Sequence, residues 1–164
     1  MPGTADGSAP EALLVAAHAR GLTIGVAESL TGGQVCDSLV AVPGASRTLR
    51  GGVVAYATDV KRSVLGVDGD LLAEVGPVHA EVARQMATGA ARVLGASLGL
   101  ATTGVAGPGP QDGVAAGTVV VAAVLADGRH VVHEHRCEGG RAAVRVAAAS
   151  AVIAAALELL DQTR

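Results

Sequence analysis

The hydrophobic period of this chain switches repeatedly, and that switching narrows its possible folds more than any other feature. Short apolar runs of strand length alternate with longer stretches whose apolar residues recur every three or four positions. Residues 8 or 9 to 20 read as a helix, with Pro10 in its first turn, Gly21 as its stop and Leu13, Leu14 and Ala17 as its apolar stripe. Residues 22–27 form a short buried strand, and residues 34–42 a helix that ends at Pro43-Gly44. A second strand covers 52–57. Thr58 then caps a short helix that ends near Gly66, with Asp59 and Lys61 in its first turn. Helices follow at 70–75 and 79–94, the second with Val82, Met86, Ala90 and Val93 at helical spacing. A third strand covers 98–103, a Gly/Pro-rich loop 104–117 and a β-branched strand 118–125. Asp127-Gly128 reads as a hairpin turn that pairs residues 129–137 antiparallel with that strand. An Ala-rich helix from 140 or 141 to about 160 closes the chain.

Strands joined through helices require parallel pairing, and the late hairpin adds an antiparallel strand. The expected fold is α/β: a three-layer α/β/α sandwich around a mixed, mostly parallel five-strand sheet. No repeat or linker divides the 164 residues. One domain over 1–164 is expected, with 1–8 as a flexible tail.

Composition removes several functional classes. Half of the residues are apolar and 16% are charged, which excludes a disordered chain. The net charge of −3 leaves no basic footprint for nucleic acid, and with no Phe or Trp and one Tyr there is no stacking platform for bases. Cys36 and Cys137 are too few for a disulfide framework and read as buried small hydrophobes. No uninterrupted apolar run reaches the roughly 18 residues needed to cross a bilayer. Residues 1–10 lack the basic and apolar regions of a signal peptide. A soluble, cytoplasmic protein is the expectation, with neither membrane nor nucleic acid as a partner. The single Lys, Lys61, stands among eleven Arg, a bias that points partly to genome composition.

Chemistry in open α/β sheets collects at the carboxyl ends of parallel strands. Three segments reach that edge: Glu28 to Gly33, Tyr56 to Lys61 and Thr102 to Pro110. Ser29 sits in a strand-to-helix turn, where Thr31, Gly32 and Gly33 could offer main-chain N–H groups to an oxyanion or phosphate. Equally, Ser29 or Thr31 could simply cap the helix. A serine nucleophile needs a base. No histidine lies near the edge loops, so Lys61 is the candidate, with burial and the helix dipole both lowering its pKa. Tyr56, five residues earlier, could relay a proton or orient that lysine. Surface exposure of Lys61 and a core-edge role for Tyr56 are the plainer alternatives. The loop from Thr103-Gly104 onward could wrap phosphate or ribose through main-chain donors. Arg141 and Arg145 share a helix face, and Arg145, flanked by apolar residues, is the stronger candidate for phosphate. His133, His135 and Cys137 alternate on one strand face and could ligate zinc, but a fourth ligand is not apparent.

In order, Ala27-Glu28-Ser29-Leu30-Thr31-Gly32-Gly33, Pro43-Gly44-Ala45-Ser46, Gly52-Val53-Val54-Ala55-Tyr56 with Lys61, and Leu65-Gly66-Val67 form the first half of a pattern. Met86-Ala87-Thr88-Gly89, Thr103-Gly104-Val105-Ala106-Gly107-Pro108 and Gly117-Thr118-Val119 complete it. Together they resemble the C-terminal domain of the competence/damage-inducible protein CinA. Stand-alone members of that family are nicotinamide-nucleotide amidohydrolases. The resemblance implies the three-layer sandwich and deamidation of nicotinamide mononucleotide to nicotinic acid mononucleotide and ammonia, with no metal or cofactor. It implies Ser29 as nucleophile, with Lys61 and Tyr56 as its activating partners. Thr31, Gly32, Gly33, Thr103, Gly104 and Arg145 are the expected substrate-binding residues. Two positions depart from the family pattern. Thr58 stands where Asn is common, and Val114-Ala115-Ala116-Gly117 replaces a Lys-Pro-Val-Gly run, which removes a cation. The rival readings are a non-catalytic nucleotide- or phosphate-binding regulatory module and a hydrolase of another small amide or ester. The expected partner is a small nucleotide, and the Ala-rich last helix leaves room for a homo-oligomer.

Overall fold

The computed structural model describes residues 7–163. The expected tail therefore falls largely outside the described residues. Its last residue, Ser8, caps α1 (Ala9–Ala19) by accepting from the Glu11 amide at 3.4 Å. Next come β1 (Ile24–Glu28), α2 (Gln34–Val40), a 3₁₀ turn (Ala45–Arg47) and β2 (Leu49–Val54). The helices α3 (Thr58–Ser63), α4 (Gly69–Val75) and α5 (Ala80–Leu94) precede β3 (Leu98–Gly104). The hairpin strands β4 (Thr118–Leu125) and β5 (His130–Arg136) lead into α6 (Arg141–Gln162).

The sheet has five strands in the order β2-β1-β3-β4-β5. β1 pairs parallel with β2 and β3, and the β3–β4 and β4–β5 pairs are antiparallel. Only β4 runs against the other four, as the mixed, mostly parallel expectation requires. Each face of the sheet carries its own core. On one face Ile24, Val26, Leu100, Val119 and Val121 pack against α1, α2 and α6. On the other, Ala27, Ala101, Val120 and Ala122 meet α5 and the segment around α3 and α4. The all-buried β4 makes the point locally, because alternate side chains of one strand serve opposite layers. With no Phe or Trp, closeness of backbones replaces bulk. A Cβ on Gly99 of β3 would run into the Ala87 carbonyl of α5.

Three local expectations change. β2 runs over Leu49–Val54 rather than 52–57: the 3₁₀ turn delivers the chain to the sheet edge at Leu49, and pairing with β1 runs out at Glu28 opposite Val54. The cap of α3 is Ala57, and Thr58 is the helix's first residue with no side-chain cap bond there. α6 is long and apolar enough to cross a bilayer by length and composition. In the fold its residues Val144, Ala148, Val152, Ala156 and Leu159 enter the core instead. Both cysteines are free and half-buried.

Candidate active site

The turns that follow β1 and β2 and the loop after β3 enclose a cavity of about 290 Å³. That is the low end of the usual range for small-molecule sites. Ser29, Tyr56, Lys61, Thr103, Gly104, Gly107 and Arg141 all line it. The loop Val75-Gly76-Pro77-Val78 closes one side, held by a hydrogen bond of 2.8 Å from Thr103 Oγ1 to the Pro77 carbonyl.

The serine turn is compact. The Gly32 amide donates to the Ser29 carbonyl at 3.1 Å, and the Gln34 amide to the Thr31 carbonyl at 3.0 Å. Gly32 and Gly33 have φ of +56° and +112°, a left-handed path that side-chain-bearing residues take only under strain. Thr31 is fully buried, and its hydroxyl meets Thr102 Oγ1 at 2.8 Å.

Lys61 is the largest fully buried side chain, only 1% exposed. Its Nζ lies 2.9 Å from Ser29 Oγ and donates to the Ala55 and Tyr56 carbonyls at 2.8 and 3.1 Å. Among the described residues no carboxylate forms an ion pair with it. Burial pushes its ammonium down from 10.5 to about 8. The hydrogen-bond count suits both protonation states. An ammonium has three N–H groups for the three oxygens. A neutral amine keeps two for the carbonyls and turns its lone pair to the serine hydroxyl, which then donates. That is the arrangement of a nucleophile beside its base.

The sequence model of the CinA C-terminal domain family matches residues 7–163. The chain belongs to the CinA C-terminal domain family. A CinA-like protein of Frankia casuarinae is 45% identical over 158 residues, 96% of this chain and 35% of its own length. A relative from Bacillus velezensis bearing the competence-damage inducible name is 41% identical over 96% of this chain and 38% of its own length. The chain thus spans little more than a third of these curated relatives. Among solved structures, the competence/damage inducible protein CihA from Agrobacterium tumefaciens superposes with a TM-score of 0.87 at 32% identity, covering 92% of this chain and 93% of that one. A CinA superfamily protein from Klebsiella pneumoniae gives 0.86 at 32% identity, over 95% and 99%.

Within this CinA domain the expected site residues divide. Ser29, Lys61, Thr103 and Gly104 meet at the cavity. Tyr56 also lines it, but its hydroxyl accepts from Arg141 Nη2 at 3.3 Å, and Lys61 touches only its main-chain carbonyl. The expected relay from the tyrosine hydroxyl to the lysine is replaced by a backbone contact. Thr31, Gly32, Gly33 and Arg145 lie outside the cavity lining. Arg145 donates from Nε to the Leu30 carbonyl at 2.8 Å and from Nη2 to the Thr31 carbonyl at 3.2 Å, so the main chain occupies the group expected to hold phosphate. Arg141, one turn earlier, takes the place at the cavity and donates to the Gly107 carbonyl at 2.9 Å. Its position directly after Gly140, the N-cap of α6, was the available signal. The helix dipole gives way to burial as the cause of the lysine shift, since Lys61 is the fourth residue of a six-residue helix and falls in its last turn. His133, His135 and Cys137 do not assemble. Among the described residues no group of three or more His, Cys, Asp or Glu side chains could hold a metal ion.

Proposed function

We propose that this CinA domain is a serine amidohydrolase that converts nicotinamide mononucleotide to nicotinic acid mononucleotide and ammonia. One observation carries the reading: a buried lysine, lowered to about 8, stands 2.9 Å from a serine hydroxyl in a cavity. Neutral Lys61 takes the proton of Ser29 as Oγ attacks the carboxamide carbon. Collapse of the tetrahedral adduct breaks the C–N bond, and Lys61 returns the proton to the departing nitrogen as ammonia leaves. Water then attacks the acyl-serine ester, Lys61 accepts its proton, and Ser29 is regenerated as the carboxylic acid departs. Oxyanion stabilisation is assigned to the Leu30 amide at the cavity, since the Ser29, Gly32 and Gln34 N–H groups donate to the Thr102, Ser29 and Thr31 carbonyls. The 5′-phosphate is assigned to Arg141, whose guanidinium stands at the cavity on the exposed first residue of α6.

The test is ammonia release from the mononucleotide, compared with the riboside that lacks phosphate and with the dinucleotide. Wild type is expected to prefer the mononucleotide, and Ser29→Ala to be inert. Normal release from Ser29→Ala, or tight nucleotide binding by a wild type without turnover, overturns the reading. The second result favours a binding module.

A further inference from the structure

The serine turn is gripped from both sides by charged groups that never reach the cavity. Glu28, the last residue of β1, is fully buried. Its Oε1 accepts from the Val35 amide at 2.9 Å and its Oε2 from the Cys36 amide at 3.1 Å. These are first-turn amides of α2, whose N-cap is Gly33 and provides no side-chain acceptor. Glu28 therefore caps from the strand a helix that its own N-cap leaves open. On the other side, the Arg145 guanidinium spans the adjacent Leu30 and Thr31 carbonyls. Ser29 stands between the two grips. Its amide donates to the Thr102 carbonyl at 3.1 Å and its carbonyl accepts from the Gly32 amide at 3.1 Å, while the two charged side chains hold the turn's flanks.

We propose that Glu28 and Arg145 are positioning residues that hold the Ser29 turn so that its hydroxyl meets Lys61. This rests on the hydrolase reading above. Lys61 is anchored separately, by the Ala55 and Tyr56 carbonyls. The two halves of the dyad are thus placed by different side-chain supports, and loosening the serine turn leaves the lysine its two carbonyl partners. Both grips depend on fork geometry. A lysine at 145 keeps the charge but replaces two separated guanidinium nitrogens, Nε on the Leu30 carbonyl and Nη2 on the Thr31 carbonyl, with a single nitrogen on a flexible stem. A glutamine at 28 keeps the shape but turns an N–H₂ toward one amide N–H.

The test uses the full chain as wild type, Arg145→Lys and Glu28→Gln. Each is reacted with phenylmethanesulfonyl fluoride across the Lys61 transition, and sulfonylation of Ser29 is followed by mass spectrometry. Steady-state turnover of nicotinamide mononucleotide is measured beside it. Wild type is labelled at Ser29 at a rate that rises with pH. Both variants are expected to keep that pH midpoint and KM while losing about 10- to 100-fold in labelling rate and kcat, the scale of a displacement near 1 Å. A support that only stabilised the fold would lower the melting temperature and leave the labelling rate of the folded protein unchanged. Wild-type labelling rates in both variants overturn the proposal and leave Ser29 chemistry standing. A raised KM at constant kcat in Arg145→Lys also overturns it, because that is the mark of a substrate ligand. Absence of Ser29 labelling in wild type overturns the hydrolase reading, and this proposal with it. The variants act on opposite sides of the turn, so either one alone decides the matter if the other does not fold.

Discussion

Two regions of this chain look chemically promising in sequence, and their structures differ in kind. At the ends of the parallel strands, Ser29 and Lys61 are 6% and 1% exposed and converge on one cavity. On β5, at the sheet's far edge, His133 pairs with Glu158 of α6 at 2.6 Å while both side chains remain more than two-fifths exposed. His135 sets its ring edge-on to that of His133, 6.0 Å between centroids, its Nε2 is buried without a hydrogen-bond partner, and Cys137 lies beyond the strand's end. Nucleophiles and ligands by residue type are richer on β5. What separates the regions is desolvation. A buried amine with neutral partners gives up its proton near neutral pH, whereas on the edge strand His133 and Glu158 stay solvated and satisfy one another as a pair.

The sharpest way to break this contrast is to remove either half of the buried pair. Ser29→Ala and Lys61→Met are each expected to lower turnover by about 10⁴-fold or more, measured as ammonia release. The wild-type rate should rise with pH through about 8, since the proposed hydrolase uses the neutral amine as base. Stability should follow the same group. Between about 8 and 10.5 the folded chain binds fewer protons at Lys61 than the unfolded chain, so stability increases with pH across that window. Relative to Lys61→Met, wild type should gain up to about 3 kcal/mol from the bottom of that window to its top, read by denaturant unfolding. A flat difference would show that Lys61 is not desolvated.

Arg141 is the next largest effect. Arg141→Ala should raise KM for the mononucleotide about 10- to 100-fold, the value of a charge-assisted contact, and leave the riboside unaffected. Equal losses on both substrates would remove phosphate from its role.

Much of this site could be read from the chain before any coordinates. The order of elements carried the sheet and its layers, and the run from Ala27 to Gly33 with Lys61 and Tyr56 carried three of the side chains that line the cavity. What escaped was orientation. Arg141 and Arg145 share a helical face by spacing, yet one turn of helix separates the cavity from the back of the serine turn. Periodicity cannot say which turn lies where, because that depends on how α6 docks on its neighbours. Tyr56 escaped for a related reason. Once β2 closes at Val54, the tyrosine is in a loop, 64% exposed, and its ring turns toward α6 rather than toward the lysine. Glu28 lay in plain view inside the motif, but its partners, the Val35 and Cys36 amides, exist only after α2 has folded back over it.

The smallest expected effect is the most telling for the comparison. The His133–Glu158 pair is short at 2.6 Å, but its side chains are 43% and 42% exposed. Exposed pairs of this kind contribute about 0–1 kcal/mol, since water and salt screen them and ordering both side chains costs entropy. His133→Gln should therefore change stability by less than about 1 kcal/mol in thermal or denaturant unfolding. It should also leave ammonia release at the wild-type rate, and added chelator should do the same. A loss of turnover in His133→Gln, or its restoration by zinc, would mean that the edge strand acts on the chemistry. Burial would then no longer be what distinguishes the two regions.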